Sequence, residues 1–282
     1  MMEITFYGVR GSIPVPGKTT LRYGGNTVCV LVRLADGSPL VLDGGSGMRE
    51  CGKALMAHPP AGPIHVLHTH VHWDHIIGIP FFAPLYQPDM HVRVFPLMNE
   101  AQDVLRTRTT MFGGVNFPVR HEDLPARIEM LSIEGAVWRV GSAEVRRITL
   151  NHRGGAQGFR IDDADGRSLT YLTDNELSPP GPVTTSLEEL ARFSHGVDVL
   201  IHDTQYLTSD MPTKHGWGHS TLDDVLKLAA CAETPHALLF HHDPERDDEA
   251  LDRIGEQASE WLREHAPATR ATVAYEGLVL RV

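Results

Sequence analysis

The chain has no long apolar run, few cysteines and no excess of basic residues, and each lack excludes something. Its hydrophobic residues lie in short runs of four to seven, well below the roughly 18 apolar residues a membrane helix needs. No membrane span is therefore expected. Met1 to Tyr7 runs straight into a strand-like alternation, without the basic segment and apolar stretch of a secretory leader. The cytoplasm is the expected compartment. Cys29, Cys51 and Cys231 are far apart and lack the paired spacings of zinc ribbons or disulfide frameworks. They read as buried core thiols. With 25 basic residues against 36 acidic ones, the formal charge is −11, which repels a polyanion at long range and counts against extended nucleic acid as a partner. One local basic pocket for a small phosphate is compatible with that charge.

What is present is a chain of 282 residues, 41% hydrophobic, with 17 histidines. That length and apolar content can fill one layered core, and no repeat, low-complexity tract or linker divides the chain, so one domain over residues 1–282 is expected. Strand patterns fall at 2–9, 27–34 and 39–42 as a meander. A helix pattern covers 46–57, and a short buried strand at 64–67 leads into a histidine-rich loop. Asp74 sits near the start of a further helix. A strand at 91–95, a helical pattern at 99–110 and the glycine- and proline-rich MFGGVNFPV follow. Strand patterns at 128–131, 136–140, 143–150, 157–162 and 168–173 suggest a second sheet. From Ser186 the order becomes helix, strand, helix, strand (186–194, 198–202, 221–232, 236–240, 247–265), closing with strands near 270–274 and 277–282. Two sheets with helices outside are the natural packing for this order.

Chemistry concentrates in THVHWDH, Thr69 to His75. In an extended or turning loop, residues two apart project to one side, so His70 and His72 can grip one ion while Asp74 and His75 turn toward a second. A lone loop histidine would read as solvated, but four metal-capable residues within six positions do not. They cannot complete two zinc spheres, because a catalytic zinc takes about three protein ligands and a water. His152 after VRRITLN, Asp174 after SLTYLT and His241 after HALLF each end a strand pattern and supply the missing number and kinds of ligand, including a carboxylate able to bridge.

At this point the chain resembles the metallo-β-lactamase superfamily of binuclear hydrolases over nearly its whole length. VLDGGSG with Asp43, HVHWDH, NHRGG, YLTDNE and LFHHDP are similar to that family's five motifs, in its order. The resemblance implies an α/β fold, an αββα sandwich of two mixed sheets with metals at one edge. It assigns His70, His72 and His152 to one ion, Asp74, His75 and His241 to the other, and Asp174 to both, with Asp43 orienting a ligand from behind. It implies two divalent ions, zinc first, with manganese and iron as alternatives. GHST, Gly218 to Thr221, is similar to the motif of the phosphodiesterase branch, where a matching histidine sits beside the metals and assists phosphate departure. His219 takes that role by resemblance, although a capping turn with an incidental histidine would explain GHST alone.

Two ions about 3.5 to 4 Å apart supply hydroxide near neutral pH and stabilise attacking and leaving oxygens. Asp74 can orient that nucleophile or take its proton, and His219 can stabilise phosphoryl oxygens or protonate the departing oxygen. Where many relatives read NHPGG this chain has Arg153, which is either phosphate-pairing or a solvated loop arginine. Arg10, Ser12 and Asn26, in VRGSIPVPG and YGGNT, are candidate pocket residues, although turn geometry accounts for the glycines and prolines around them. Asp203 either steadies His219 or is an ordinary turn aspartate. His68 and His202 read as structural, and a one-residue strand shift would exchange His241 for His242.

The leading expectation is a phosphodiesterase acting on a small cyclic phosphodiester, a 3′,5′-cyclic nucleotide ahead of phosphoribosyl 1,2-cyclic phosphate. A transfer-RNA 3′-processing-type endoribonuclease comes next, favoured by GHST and disfavoured by the charge and by the lack of a long basic arm. A lactone or thioester hydrolase and a non-catalytic binding module rank lower, and an oxygen-reducing diiron enzyme is disfavoured by His72 where that branch usually has glutamate. Residues 98–130 read as an active-site lid or a homodimer contact.

Overall fold

The computed structural model describes residues 1–95, 111–113, 117–131, 133, 135–211 and 213–282. The helical pattern at 99–110, and so about half of the suggested lid or dimer contact at 98–130, lies outside the described residues.

Fourteen described strands form two seven-stranded sheets. In the first, β1 (Glu3–Gly8), β2 (Cys29–Arg33) and β3 (Pro39–Leu42) make the expected antiparallel meander, joined in parallel by β4 (Ile64–Leu67), β5 (His91–Phe95) and β6 (Arg127–Met130). The second contains β7 (Val137–Val140), β8 (Ala143–Leu150), β9 (Ala156–Asp162), β10 (Ser168–Leu172), β11 (Val199–Asp203), β12 (His236–Phe240) and β13 (Arg270–Val273). The helices are α1 (Met48–Ala57), the single turn α2 (Trp73–Ile76), α3 (Leu187–Phe193), α4 (Leu222–Cys231) and α5 (Asp248–His265).

Alternation explains the layering. In β1 every second residue is buried, and Ile4 and Phe6 join Val30, Leu42, Tyr171, Ile201 and Phe240 in one core between the sheets. β10, β11 and β12 are buried throughout, since Leu172, Leu200 and Leu239 on their other face pack against α4 and α5. α1 covers the first sheet through Met48, Cys51 and Leu55. The chain thus has the expected αββα architecture.

Two expectations change, and one pairing that the sequence left open is settled. β6, grouped with the second sheet from sequence, pairs in parallel with β5 at the edge of the first. β14 (Val279–Arg281) leaves β13 and pairs with β1. Local alternation says which face of a strand is buried, and says nothing of its lateral partner. Cys231, expected in the core, is exposed at the end of α4, whereas Cys29 and Cys51 are buried.

No helix among the described residues is long and apolar enough to cross a membrane.

Candidate metal centre

The seven expected ligands come from five places along the chain and converge where strands of both sheets end. β4 feeds the loop carrying His70 and His72, and α2 presents Asp74 and His75. β8 is followed by His152, β10 by Asp174 and β12 by His241. Asp174 and His241 have φ of 62° and 57°, as do Asp43 and Ser12 nearby at 58° and 65°. Left-handed backbone disfavours residues with a Cβ, so four such residues around one cluster mark chain bends held by their surroundings.

Asp174 sits at the middle. Its Oδ2 is 3.5 Å from His70 Nε2 and 3.5 Å from His152 Nε2, while its Oδ1 is 3.1 Å from both His75 Nε2 and His241 Nε2. One carboxylate therefore gives one oxygen to each half. On the first side His152 Nε2 lies 3.1 Å from His72 Nδ1. On the second, Asp74 Oδ2 lies 3.4 Å from His75 Nε2 and 3.2 Å from His241 Nε2.

The outer nitrogens decide what the inner ones can do. His75 Nδ1 donates to Asp43 at 3.0 Å, His241 Nδ1 to Gln205 Oε1 at 2.8 Å, His152 Nδ1 to the Gly218 carbonyl at 2.9 Å and His70 Nδ1 to the Thr69 hydroxyl at 3.0 Å. Each ring then points a proton-free Nε2 inward, the form that binds metal. Nε2 of His70 and of His75 are buried without a hydrogen-bond partner, a costly arrangement that a cation would relieve. The electrostatics agree. Burial lowers the His70 and His152 imidazoles from their ordinary value, keeping them neutral. Burial pulls His75 the same way, but the Asp174, Asp74 and Asp43 carboxylates outweigh it and raise that ring, so the enclosed half calls for positive charge. Asp174 and Asp74 are held below the usual carboxylate range by the surrounding histidines despite their burial. The donor set thus fits two divalent cations.

Asp43 is fully buried and accepts from the Thr69 amide at 2.8 Å, from His75 and from Tyr171 Oη at 3.0 Å. Asp203 lies 2.8 Å from His219 Nδ1. Burial lowers the His219 imidazole, but the Asp203 bond and the nearby Asp174 and Asp74 charges raise it overall. A nitrogen of His219 also falls within 4.8 Å of ligand atoms of Asp174 and His241. His241, rather than His242, faces the cluster; His242 Nε2 donates to the Ala274 carbonyl at 2.8 Å. His202 bonds locally to the Asp203 carbonyl at 2.7 Å.

The candidate pocket residues divide. Ser12 contributes its backbone, whose amide donates to Asp74 Oδ2 at 2.7 Å. Arg10, expected in the pocket wall, is 0% exposed, and its guanidinium donates to the carbonyls of Gly24, Asp243 and Arg246. It ties loops together. Asn26 is likewise engaged, by Glu276 and the Ser46 hydroxyl. Arg153 is exposed beside His152.

Four positioning groups escaped the sequence reading: Gln205, the Thr69 hydroxyl, the Gly218 carbonyl and Glu176. Only proximity to Asp203 hinted at Gln205, and only YLTDNE at Glu176. Two glycines are explained by contact. A Cβ on Gly11 would meet His241 Cε1 at 2.4 Å, and one on Gly218 would meet His152 Nδ1 at 2.4 Å.

Residues 40–242 match the model of the family described as "Beta-lactamase superfamily domain". An uncharacterized protein of Mycobacterium leprae is 28% identical over 86% of this chain and 78% of its own length. A ribonuclease Z of Halalkalibacterium halodurans is 25% identical over 85% of this chain and 87% of its own length. Among solved structures, a diphosphatase of the PhnP family superposes with a TM-score of 0.70 at 22% identity, covering 100% of this chain and 98% of that one.

Proposed function

The chain belongs to the beta-lactamase superfamily and is a metal-dependent hydrolase, and from that premise we propose that it cleaves phosphodiesters, with a small cyclic phosphodiester, a 3′,5′-cyclic nucleotide foremost, as its substrate. The observation that carries the proposal is the His219–Asp203 pair set beside a carboxylate that gives one oxygen to each of two histidine groups. Acyl transfer needs hydrogen-bond donors for one developing oxyanion. A phosphoryl group brings several charged oxygens, and a protonated imidazole next to the cation pair suits them.

His70, His72 and His152 would hold one ion and Asp74, His75 and His241 the other, with Asp174 shared. Bound there, two divalent ions would polarise a phosphoryl oxygen and make a water nucleophilic near neutral pH. The chain's own groups do the rest. The Ser12 amide fixes Asp74 Oδ2, which can receive a proton from the attacking water. His219 has Nδ1 committed to Asp203, so Nε2 is the nitrogen left for substrate. A proton carried on that nitrogen can pass to the departing ribose oxygen.

The ribonuclease Z likeness favours a second reading, 3′-end cleavage of a precursor transfer RNA. The charge of −11 counts against it. Turnover of metal-loaded protein on 3′,5′-cyclic AMP and GMP, phosphoribosyl 1,2-cyclic phosphate, bis-p-nitrophenyl phosphate and a precursor transfer RNA separates the readings. A preference for a cyclic nucleotide supports the first and RNA cleavage the second. No turnover of any ester by protein carrying two metals would overturn both and turn attention to lactones and thioesters.

A further inference from the structure

Trp217 is a large apolar side chain left 55% exposed on a turn that is anything but loose. The amides on either side of it, those of Gly216 and Gly218, donate to the two oxygens of Glu176 at 2.8 and 2.9 Å. Glu176 is only 3% exposed, so a buried carboxylate is committed to fixing this turn. Gly216 and Gly218 have φ of +84° and +88°, which permits the tight bend. The Gly218 carbonyl accepts from His152, and the next residue is His219, so Trp217 is tied at short range to one proposed ligand by a hydrogen bond and to the proposed acid through the chain. The Trp217 amide also donates to the Lys214 carbonyl at 3.2 Å. This turn brings Lys214 Nζ to 4.3 Å from the centre of the indole, and Nζ lies 5.5 Å from the Tyr206 ring. Tyr206 in turn meets His219 edge-on at 5.7 Å.

Lys214 makes no ion pair among the described residues. Its ammonium rests on two aromatic faces, which attract the charge without neutralising it. An uncompensated cation and an exposed indole on a rigid turn at the rim of a metal centre are complementary to a phosphate bearing a flat base. We infer that Trp217 and Lys214 form the substrate-recognition station of this site, the indole stacking on a nucleobase and the ammonium attracting the phosphate. This rests on the phosphodiesterase reading and narrows its substrate to nucleotides.

The test pairs kinetics with binding, in metal-loaded protein. Stacking on an aromatic side chain is worth about 1 to 3 kcal/mol per base, so Trp217→Ala should raise KM for a 3′,5′-cyclic nucleotide about 5- to 150-fold. It should leave kcat within about twofold, while Trp217→Phe keeps most of the wild-type KM. For the matching ribose cyclic phosphate without a base, the Trp217→Ala penalty should be at least about tenfold smaller. Lys214→Met should raise KM for both substrates by a common factor and flatten its salt dependence. Equal penalties on both substrates, or a fall in kcat with KM unchanged, would make Trp217 a support for the turn and overturn the inference. Binding is read separately, by titrating AMP and following intrinsic fluorescence in wild type and Trp217→Phe. Quenching in wild type that is lost in the variant is expected, and it would stand even if no diester were hydrolysed, so failure of the phosphodiesterase reading remains distinguishable. No difference in quenching between the two proteins would overturn the inference.

Discussion

The two halves of the histidine cluster share Asp174 and are otherwise built differently. His75 and His241 are completely buried, and their outer nitrogens are held by the Asp43 carboxylate and the Gln205 amide, side chains themselves enclosed by the fold. On the other side, His72 is exposed, His70 leans on a hydroxyl and His152 on a loop carbonyl. One half is anchored between the sheets, and the other opens to solvent beside Trp217 and His219. The difference teaches a division of labour: the enclosed half fixes charge in place, and the open half is where a substrate oxygen can arrive.

Removing the shared carboxylate should break both halves. Asp174→Ala is expected to abolish double metal occupancy and lower kcat by about a thousandfold or more, as elemental analysis beside single-substrate kinetics would register. A smaller loss follows for His219→Ala, which should keep both metals yet lose roughly 100-fold in rate; full turnover in that variant would remove His219 from the mechanism. Outer partners sharpen the comparison. Gln205→Ala should weaken metal retention about 10- to 100-fold in chelator competition, and only for the more tightly held ion. If instead the weaker ion leaves first, the enclosed half is not the anchor.

The smallest effect concerns stability away from the centre. Burial, helped by Arg93, lowers the His65 pKa to about 4, and burial with Arg270 lowers that of His236 to about 4. The unfolded chain then binds the extra protons between about pH 6.5 and 4, so stability falls as pH drops through that window and levels off below it. Each histidine should account for about 3 kcal/mol of that fall if fully shielded from water, and about 2 kcal/mol once solvent screening is allowed for. Thermal melts of His65→Phe and His236→Asn across the window should show a shallower slope than wild type; an unchanged slope would place the acid sensitivity elsewhere.

Much of this was readable in the residues because it depends on short-range order. Strand and helix positions followed from alternation and turn chemistry, and β3, β4, β5, β8 and β12 fall on their expected residues. The convergence of His70, His72, Asp74, His75, His152, Asp174 and His241 was legible because metal-capable residues at strand ends are few and their types are chemically restricted. Lateral pairing was not legible: β6 and β14 join the first sheet through partners far away in sequence. Apart from Asp43 behind His75, neither was the support behind the converging residues, since a glutamine, a threonine hydroxyl and a glycine carbonyl carry no pattern of their own. Arg10 shows the reverse error. A basic residue in a glycine-rich loop suggests a phosphate contact, yet its partners are three carbonyls.

The most direct test of a two-ion centre divided by Asp174 is anomalous diffraction at the absorption edge of the metal bound by the purified protein. The account predicts two peaks, one among His70, His72 and His152 and the other among Asp74, His75 and His241, with Asp174 between them. A single peak, or peaks away from Asp174, would contradict it.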